Sequence, residues 1–338
     1  MITVEELNKQ IRGNQLQKAY FFFGEEDYLL ENKIHIIIKK CVPPGLADFN
    51  VFKFEGKNTD FERLAEAVEQ YPQMSEKKVV WVKNSGIFQN AAGREYKMAA
   101  ELLHELPPYT CLIFEETAFD KKKIKNLKPM EEAGAVVEFS YLPVNRVEIW
   151  LEEKFKKAEK TILARDLTYM VRLCGQSLRK ISIEYDKVIG YVGDRYKVTR
   201  EDIDAVVDKS VEYRVYDMLD SIMNERPDKA QTQMKFLRDN NESPTGILSI
   251  MTGKMAELLL CKLLHEDGLP PKEILEYFDF KRPLFVVNKT IDESRRFGEK
   301  YLKRMIRLGL SYDVAVKTGK MDGWTAAELY LAELTLVK

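Results

Sequence analysis

Apolar and polar positions change rhythm twice along the chain. Val4, Leu7 and Ile11 recur at helical spacing behind Thr3 and Glu6, a capping-box pair, and Gly13 stands where such a helix ends. Residues 19–23 are apolar without interruption up to Gly24. Leu30, Ile34, Ile37, Ile38 and Cys41 then share a helical face, which predicts strand, turn and helix. Residues 51–54 form a second strand, after which Thr59 and Glu62 open a helix carrying Phe61, Leu64, Val68 and Tyr71, stopped by Pro72. Further apolar runs at 79–82, 111–114 and 136–139 are separated by helical stretches such as 98–106. Strands apolar on both faces, alternating with helices, predict a parallel sheet covered on each side.

After Pro143 every periodic segment is helical: 147–158, 163–174, 178–192, and 200–207 opened by Thr199, with Gly175 and Gly193 as punctuation. From residue 211 onward the pattern stays helical, with Pro227, Pro244, Pro270, Pro271 and Pro283 near helix starts or in loops. There Ile247, Ile250, Met251, Met255, Leu258 and Leu259 make a dense apolar stripe, expected to bury against another subunit. The organisation predicted is an α/β domain at 1–142, a small helical domain at 143–210 and a larger helical domain at 211–338. A chain of 338 residues favours such division, because one ordinary core does not grow that large.

Composition narrows the function classes. Hydrophobic residues are 45% and charged residues 32%, and Lys+Arg 53 against Asp+Glu 54 leaves a net charge of -1, so any nucleic-acid contact must come from a local patch. The first residues lack the pattern of a signal peptide, and no apolar run approaches the roughly 20 residues of a membrane helix, so a cytoplasmic protein without membrane contact is expected. Cys41, Cys111, Cys174 and Cys261 stand singly, without the paired spacing of zinc or redox motifs, and are expected as buried small hydrophobes.

A strand, glycine turn and helix near the N-terminus is where P-loop proteins hold nucleotide phosphates, using backbone N–H groups, a lysine and a Ser or Thr. Here the turn reads Gly24, Glu25, Glu26, Asp27, Tyr28. It has no lysine, and three consecutive carboxylates repel a triphosphate, so no cofactor is expected and the acidic residues read as stabilising a helix N-terminus. Glu115 and Glu116 follow an apolar strand where a P-loop ATPase keeps carboxylates for magnesium; without the lysine turn they read as a solvated strand end. His35, His104 and His265 lie on helical patterns with no nucleophile signature around them. No catalytic residue and no metal site are expected.

The string from Tyr20 to Leu29, YFFFGEEDYL, resembles the opening of the delta-subunit family of bacterial replicative clamp loaders, proteins with a degenerate P-loop. Residues 72–82, 178–188 with Glu184 and Lys187, 214–220 and 313–319 are similar to further segments of that family, in the same order. The resemblance implies a RecA-like AAA+ domain with a parallel sheet, a helical lid and a helical collar. It also implies a subunit that binds and opens the beta sliding clamp without hydrolysing ATP, assembling with gamma/tau ATPase subunits and delta-prime around primed DNA. The clamp-binding element of the family falls here at Tyr71, Pro72, Gln73 and Met74. An apolar pair is usual at the last two positions, so Met74 is expected to carry the contact.

From 281 to 310 nine basic residues face three acidic ones, and Arg295, Arg296, Lys303 and Arg304 are the DNA-contact candidates. The run Lys121, Lys122, Lys123, Lys125 and Lys128 reads as a solvated face. Two alternatives are a delta-prime-like stator, disfavoured by the lack of a zinc-type cysteine cluster, and an ATPase or nucleotidyltransferase built on Glu115, Glu116 and Lys121.

Overall fold

The computed structural model describes residues 1–57, 59–278 and 284–336. The chain divides into two compact units, Met1–Tyr141 with Ser177–Arg179, and Leu142–Gln176 with Lys180–Lys338.

The first unit runs α1 (Val4–Arg12), β1 (Ala19–Phe23), α2 (Asp27–Cys41), α3 (Ala47–Asn50), β2 (Val51–Glu55), α4 (Phe61–Glu69), β3 (Lys78–Lys83), α5 (Arg94–His104), β4 (Thr110–Glu116), α6 (Lys128–Ala133) and β5 (Gly134–Glu138). Its five strands form one parallel sheet in the order β2-β3-β4-β1-β5. Phe21, Phe23, Val80, Val82, Leu112 and Phe114 pack on one face with Leu64 and Val68 of α4, Leu103 of α5 and Met130 of α6. Tyr20, Phe22, Val79, Trp81 and Ile113 pack on the other with Leu7 of α1 and Leu30, Ile34 and Ile37 of α2. Alternate residues of β1, β3, β4 and β5 thus serve two cores, which is why these strands carry unbroken apolar runs, whereas the edge strand β2 leaves Lys53 exposed.

The α1 capping box forms as expected. For α4 the cap is instead Asp60, whose carboxylate accepts from the N–H groups of Glu62 and Arg63, while Thr59 donates its hydroxyl to the Gly56 carbonyl. That helix ends at Glu69, so Tyr71 lies beyond it, exposed, rather than on its buried face.

The second unit contains α7 (Val144–Lys157), β6 (Thr161–Ile162), α8 (Ala164–Cys174), α9 (Leu178–Val192), β7 (Lys197–Val198), α10 (Arg200–Val206), α11 (Val211–Met223), α12 (Pro227–Asp239), α13 (Pro244–Glu266), α14 (Pro271–Ile274), α15 (Leu284–Ser294), α16 (Glu299–Lys317) and α17 (Gly323–Thr335). The first turn of α9 folds with the first unit. The purely helical expectation misses β6 and β7, which pair in parallel. They are two residues long, too short for a period to register.

Ile247, Met251, Met255 and Leu258 of α13 are buried among Val215, Met234, Leu302, Met305 and Tyr330. The α13 stripe is therefore the core of its own unit, contrary to the expectation of a subunit interface. Pro227, Pro244 and Pro271 each sit in the first turn of a helix, where a missing N–H breaks no hydrogen bond. Pro283, Lys281 and Arg282 lie outside the described residues. All four cysteines are buried, and none forms a disulfide.

Candidate functional site

The N-terminal glycine turn sits at the carboxyl ends of β1 and β4, the edge at which open α/β sheets bind ligands. Gly24 is required there by its backbone. Its φ is 131°, and a Cβ would lie 2.2 Å from the Phe139 carbonyl oxygen. Glu25 is exposed, whereas Glu26 is fully buried and accepts from the Leu178 N–H at 3.2 Å. Burial pushes its carboxyl up to about 7. The acidic residues therefore do more than stabilise the start of α2.

Glu115 and Glu116 are buried as well, correcting the solvated strand end. Glu115 accepts from Trp81 Nε1 at 2.9 Å and lies 3.4 Å from Lys83 Nζ. Glu116 accepts from Ser85 Oγ at 2.9 Å and from the Gly86 N–H at 2.8 Å. Burial raises both carboxyls above their ordinary range. Lys121 is committed elsewhere, to Glu138 at 2.5 Å. The three groups of the ATPase alternative therefore have separate structural partners. His35 packs edge-on against Trp81, and His265 meets Arg295 at 3.2 Å.

The loop from Gln70 to Lys77 has a different character, because its backbone is held while its large side chains face solvent. Asn50, fully buried at the end of α3, accepts from the Gln73 N–H at 2.7 Å and donates Nδ2 to the Gln73 carbonyl at 2.8 Å. Lys78, also buried, donates Nζ to the carbonyls of Ala67, at 2.6 Å, and Gln70, closing the last turn of α4. Burial pulls this ammonium down to about 8, so it is still mostly charged at neutral pH. Tyr71 packs against Tyr109 with ring centroids 4.8 Å apart and planes tilted by 30°, and Tyr109 donates its hydroxyl to the Glu69 carbonyl.

Within this frame Met74 has φ 52°, in the left-handed region, and its side chain is 79% exposed. Tyr71 is 77% exposed, Gln73 is exposed and Pro72 half-buried. A non-glycine residue in that backbone region carries about 1 kcal/mol of strain, which persists only where the surroundings enforce it. Asn50, Lys78 and Tyr109 have no local signature in the sequence; their roles come from pairing with a loop distant along the chain.

On α16, Lys300, Lys303, Arg304 and Arg307 are all exposed at one-face spacing, and the same face continues in Leu310 and Val314, 55% and 59% exposed. Lys303 pairs with Glu299 at 2.5 Å, and Arg304 with Glu333 at 3.1 Å. Arg295 pairs with Asp292 at 3.2 Å, and Arg296 donates to the Met223 carbonyl. The four candidates fall on α16 and on the segment leading into it, and each has a partner inside the molecule.

The family described as DNA polymerase III, delta subunit, matches residues 20–140, and its C-terminal domain matches residues 212–334. The chain belongs to the DNA polymerase III delta-subunit family. DNA polymerase III subunit delta of Bacillus subtilis is 25% identical over 334 residues, spanning 96% of this chain and 95% of that protein. Probable DNA polymerase III subunit delta of Aquifex aeolicus is 23% identical over 274 residues, 78% of this chain and 76% of that one. Among solved structures the Bacillus subtilis DNA clamp loader delta protein superposes with a TM-score of 0.56 at 24% identity, covering 98% and 99% of the two chains. The delta-family segment at 20–140 contains both the acidic turn and the Tyr71–Met74 loop; the C-terminal one contains the basic face of α16. No helix among the described residues is long and apolar enough to cross a membrane.

Proposed function

We propose that this delta-family chain is the clamp-loader subunit that binds the beta sliding clamp through Tyr71, Pro72, Gln73 and Met74 and opens it without hydrolysing ATP. The observation carrying this reading is Met74, a large apolar side chain 79% exposed on a loop whose backbone is pinned by a buried asparagine. An anchor displayed on a held loop loses little entropy on binding, and a flexible thioether fills an apolar pocket well. Opening follows by differential affinity: a partner that prefers the open ring shifts the ring's equilibrium by that preference.

The nucleotide turn supports a non-hydrolytic role, since it has no lysine and presents Glu25 and Asp27 where phosphates would lie. The helical part divides functionally into a lid, 143–210, and a collar, 211–338, that joins gamma/tau and delta-prime subunits. The exposed Leu310 and Val314 are the collar residues best suited to that assembly, and the basic half of the same face, with Arg295 and Arg296, to primed DNA. The protein works in the cytoplasm. The test is binding of the full chain to immobilised clamp, parent against Met74→Ala, with equilibrium dialysis against labelled ATP. Clamp binding that ignores Met74, or micromolar ATP binding, would refute the reading.

A further inference from the structure

The first turn of α9 is tied into the acidic turn by hydrogen bonds. The Leu178 N–H donates to Glu26 Oε2 at 3.2 Å, Arg179 Nε donates to Asp27 Oδ2 at 2.8 Å, and Arg179 Nη2 donates to Glu31 Oε2 at 2.7 Å. Glu31 also binds Lys83 at 2.7 Å, so Asp27, Arg179, Glu31, Lys83 and Glu115 form one chain of alternating charge along the carboxyl edge of the sheet. The second oxygen of Glu26, Oε1, is buried without a hydrogen bond.

We propose that the acidic turn is the seat of an internal ligand, the first turn of α9 with Arg179, which occupies it in place of a nucleotide. The chemistry of a phosphate site is inverted here. A phosphate-binding turn offers backbone N–H groups to an anion. This turn instead supplies the anions, and a helix N-terminus and a guanidinium supply the positive charge. The carboxylates of Asp27 and Glu31 are both neutralised by one forked side chain, a geometry lysine does not reproduce. A triphosphate would have to displace Arg179 and bring its charge beside Glu25, Asp27 and Glu31. The first turn of α9 is therefore held whether or not nucleotide is present. This goes beyond the clamp-contact reading and shares with the proposed function only the expectation that the turn binds no ATP; unaltered exchange in Arg179→Ala would sink it alone.

Hydrogen exchange read by mass spectrometry on the full chain tests it, following residues 177–180. Arg179→Ala should speed exchange there by about tenfold or more, while the sheet segments 79–82 and 111–114 stay protected. Arg179→Ala combined with Glu31→Gln should add little, because both remove one shared ion pair. Magnesium ATP should leave the parent's exchange at 177–180 unchanged. Unaltered exchange in Arg179→Ala with the sheet intact, or protection of 177–180 by magnesium ATP, would overturn the proposal. Should Arg179→Ala also expose the sheet, Arg179→Lys decides: intermediate exchange supports the forked contact, and parental exchange refutes it.

Discussion

The side chain of Asn50 holds both backbone polar groups of Gln73, accepting from its N–H at 2.7 Å and donating to its carbonyl at 2.8 Å. The two residues are 23 positions apart, and Asn50 is fully buried. A side-chain amide carries a donor and an acceptor side by side and can serve both groups at once, which makes Asn50 the positioning residue for the loop.

Asn50→Ala removes both hydrogen bonds to Gln73 and the one to the Leu46 carbonyl, so it should cost about 2 kcal/mol of stability. Its specific signature is faster exchange of the Gln73 amide than of the neighbouring β3 amides. Clamp affinity should fall although no atom at the binding surface has changed. Asn50→Asp keeps the acceptor but turns an oxygen toward the Gln73 carbonyl, so it should be no better than Asn50→Ala. If either variant keeps parental clamp binding while the Gln73 amide is freed, loop order does not govern recognition.

Met74→Ala separates anchoring from folding. Truncating an anchor in a desolvated pocket costs on the order of 2 kcal/mol, about thirtyfold in affinity, whereas an exposed side chain contributes within about 0.5 kcal/mol to stability. The melting temperature should therefore hold while clamp binding drops. Met74→Leu should bind nearly as the parent does, because volume and apolarity are kept. Gln73→Leu, which restores an apolar pair beside Met74, should bind more tightly.

Much of the fold was legible because it rests on local pattern. The apolar run before Gly24 and the periodicity of α2 are visible within a window shorter than the elements they specify. What sequence could not show are contacts whose partners lie far along the chain. Glu115 and Glu116 look like a strand leaving the core, yet both are buried by donors 34 and 31 positions away, Trp81 and Ser85. The stripe at Ile247, Met251 and Leu258 announced burial correctly but not its partner, since periodicity records that a face is covered and not by what. Within the candidate loop, the composition at 71–74 was readable, whereas the frame of Asn50, Lys78 and Tyr109 was not.

Charge reversal at Lys300, Lys303 and Arg307 tests the basic half of the α16 face. Removing one phosphate-binding cation should reduce the salt slope by about one, so loading on primed DNA should weaken most at low salt and converge with the parent at high salt. Clamp binding measured without DNA should not change. A loss that is equal with and without DNA would assign this face to subunit packing.

Glu26→Gln predicts a pH dependence whose sign is fixed by burial. Desolvation raises the folded carboxyl to about 7 from an ordinary value of 4.5, so the folded state holds this proton more tightly than the unfolded chain does. Below about 4.5 both states are protonated and the group costs nothing. Between 4.5 and 7 the unfolded chain ionises while the folded one does not, so this contribution falls as pH rises and levels off above 7. Its ceiling is roughly 3 kcal/mol, from 1.36 kcal/mol per pH unit. Glutamine keeps an acceptor for the Leu178 N–H but carries no titrating proton, so the variant should match the parent at pH 4.5 and melt progressively higher than it toward pH 7.5. Other carboxylates change stability with pH in both proteins alike, which makes the difference between the two melting curves the quantity to follow. A difference that stays constant across this range would mean that Glu26 is ionised in the fold, with its buried oxygen stabilised by a cation.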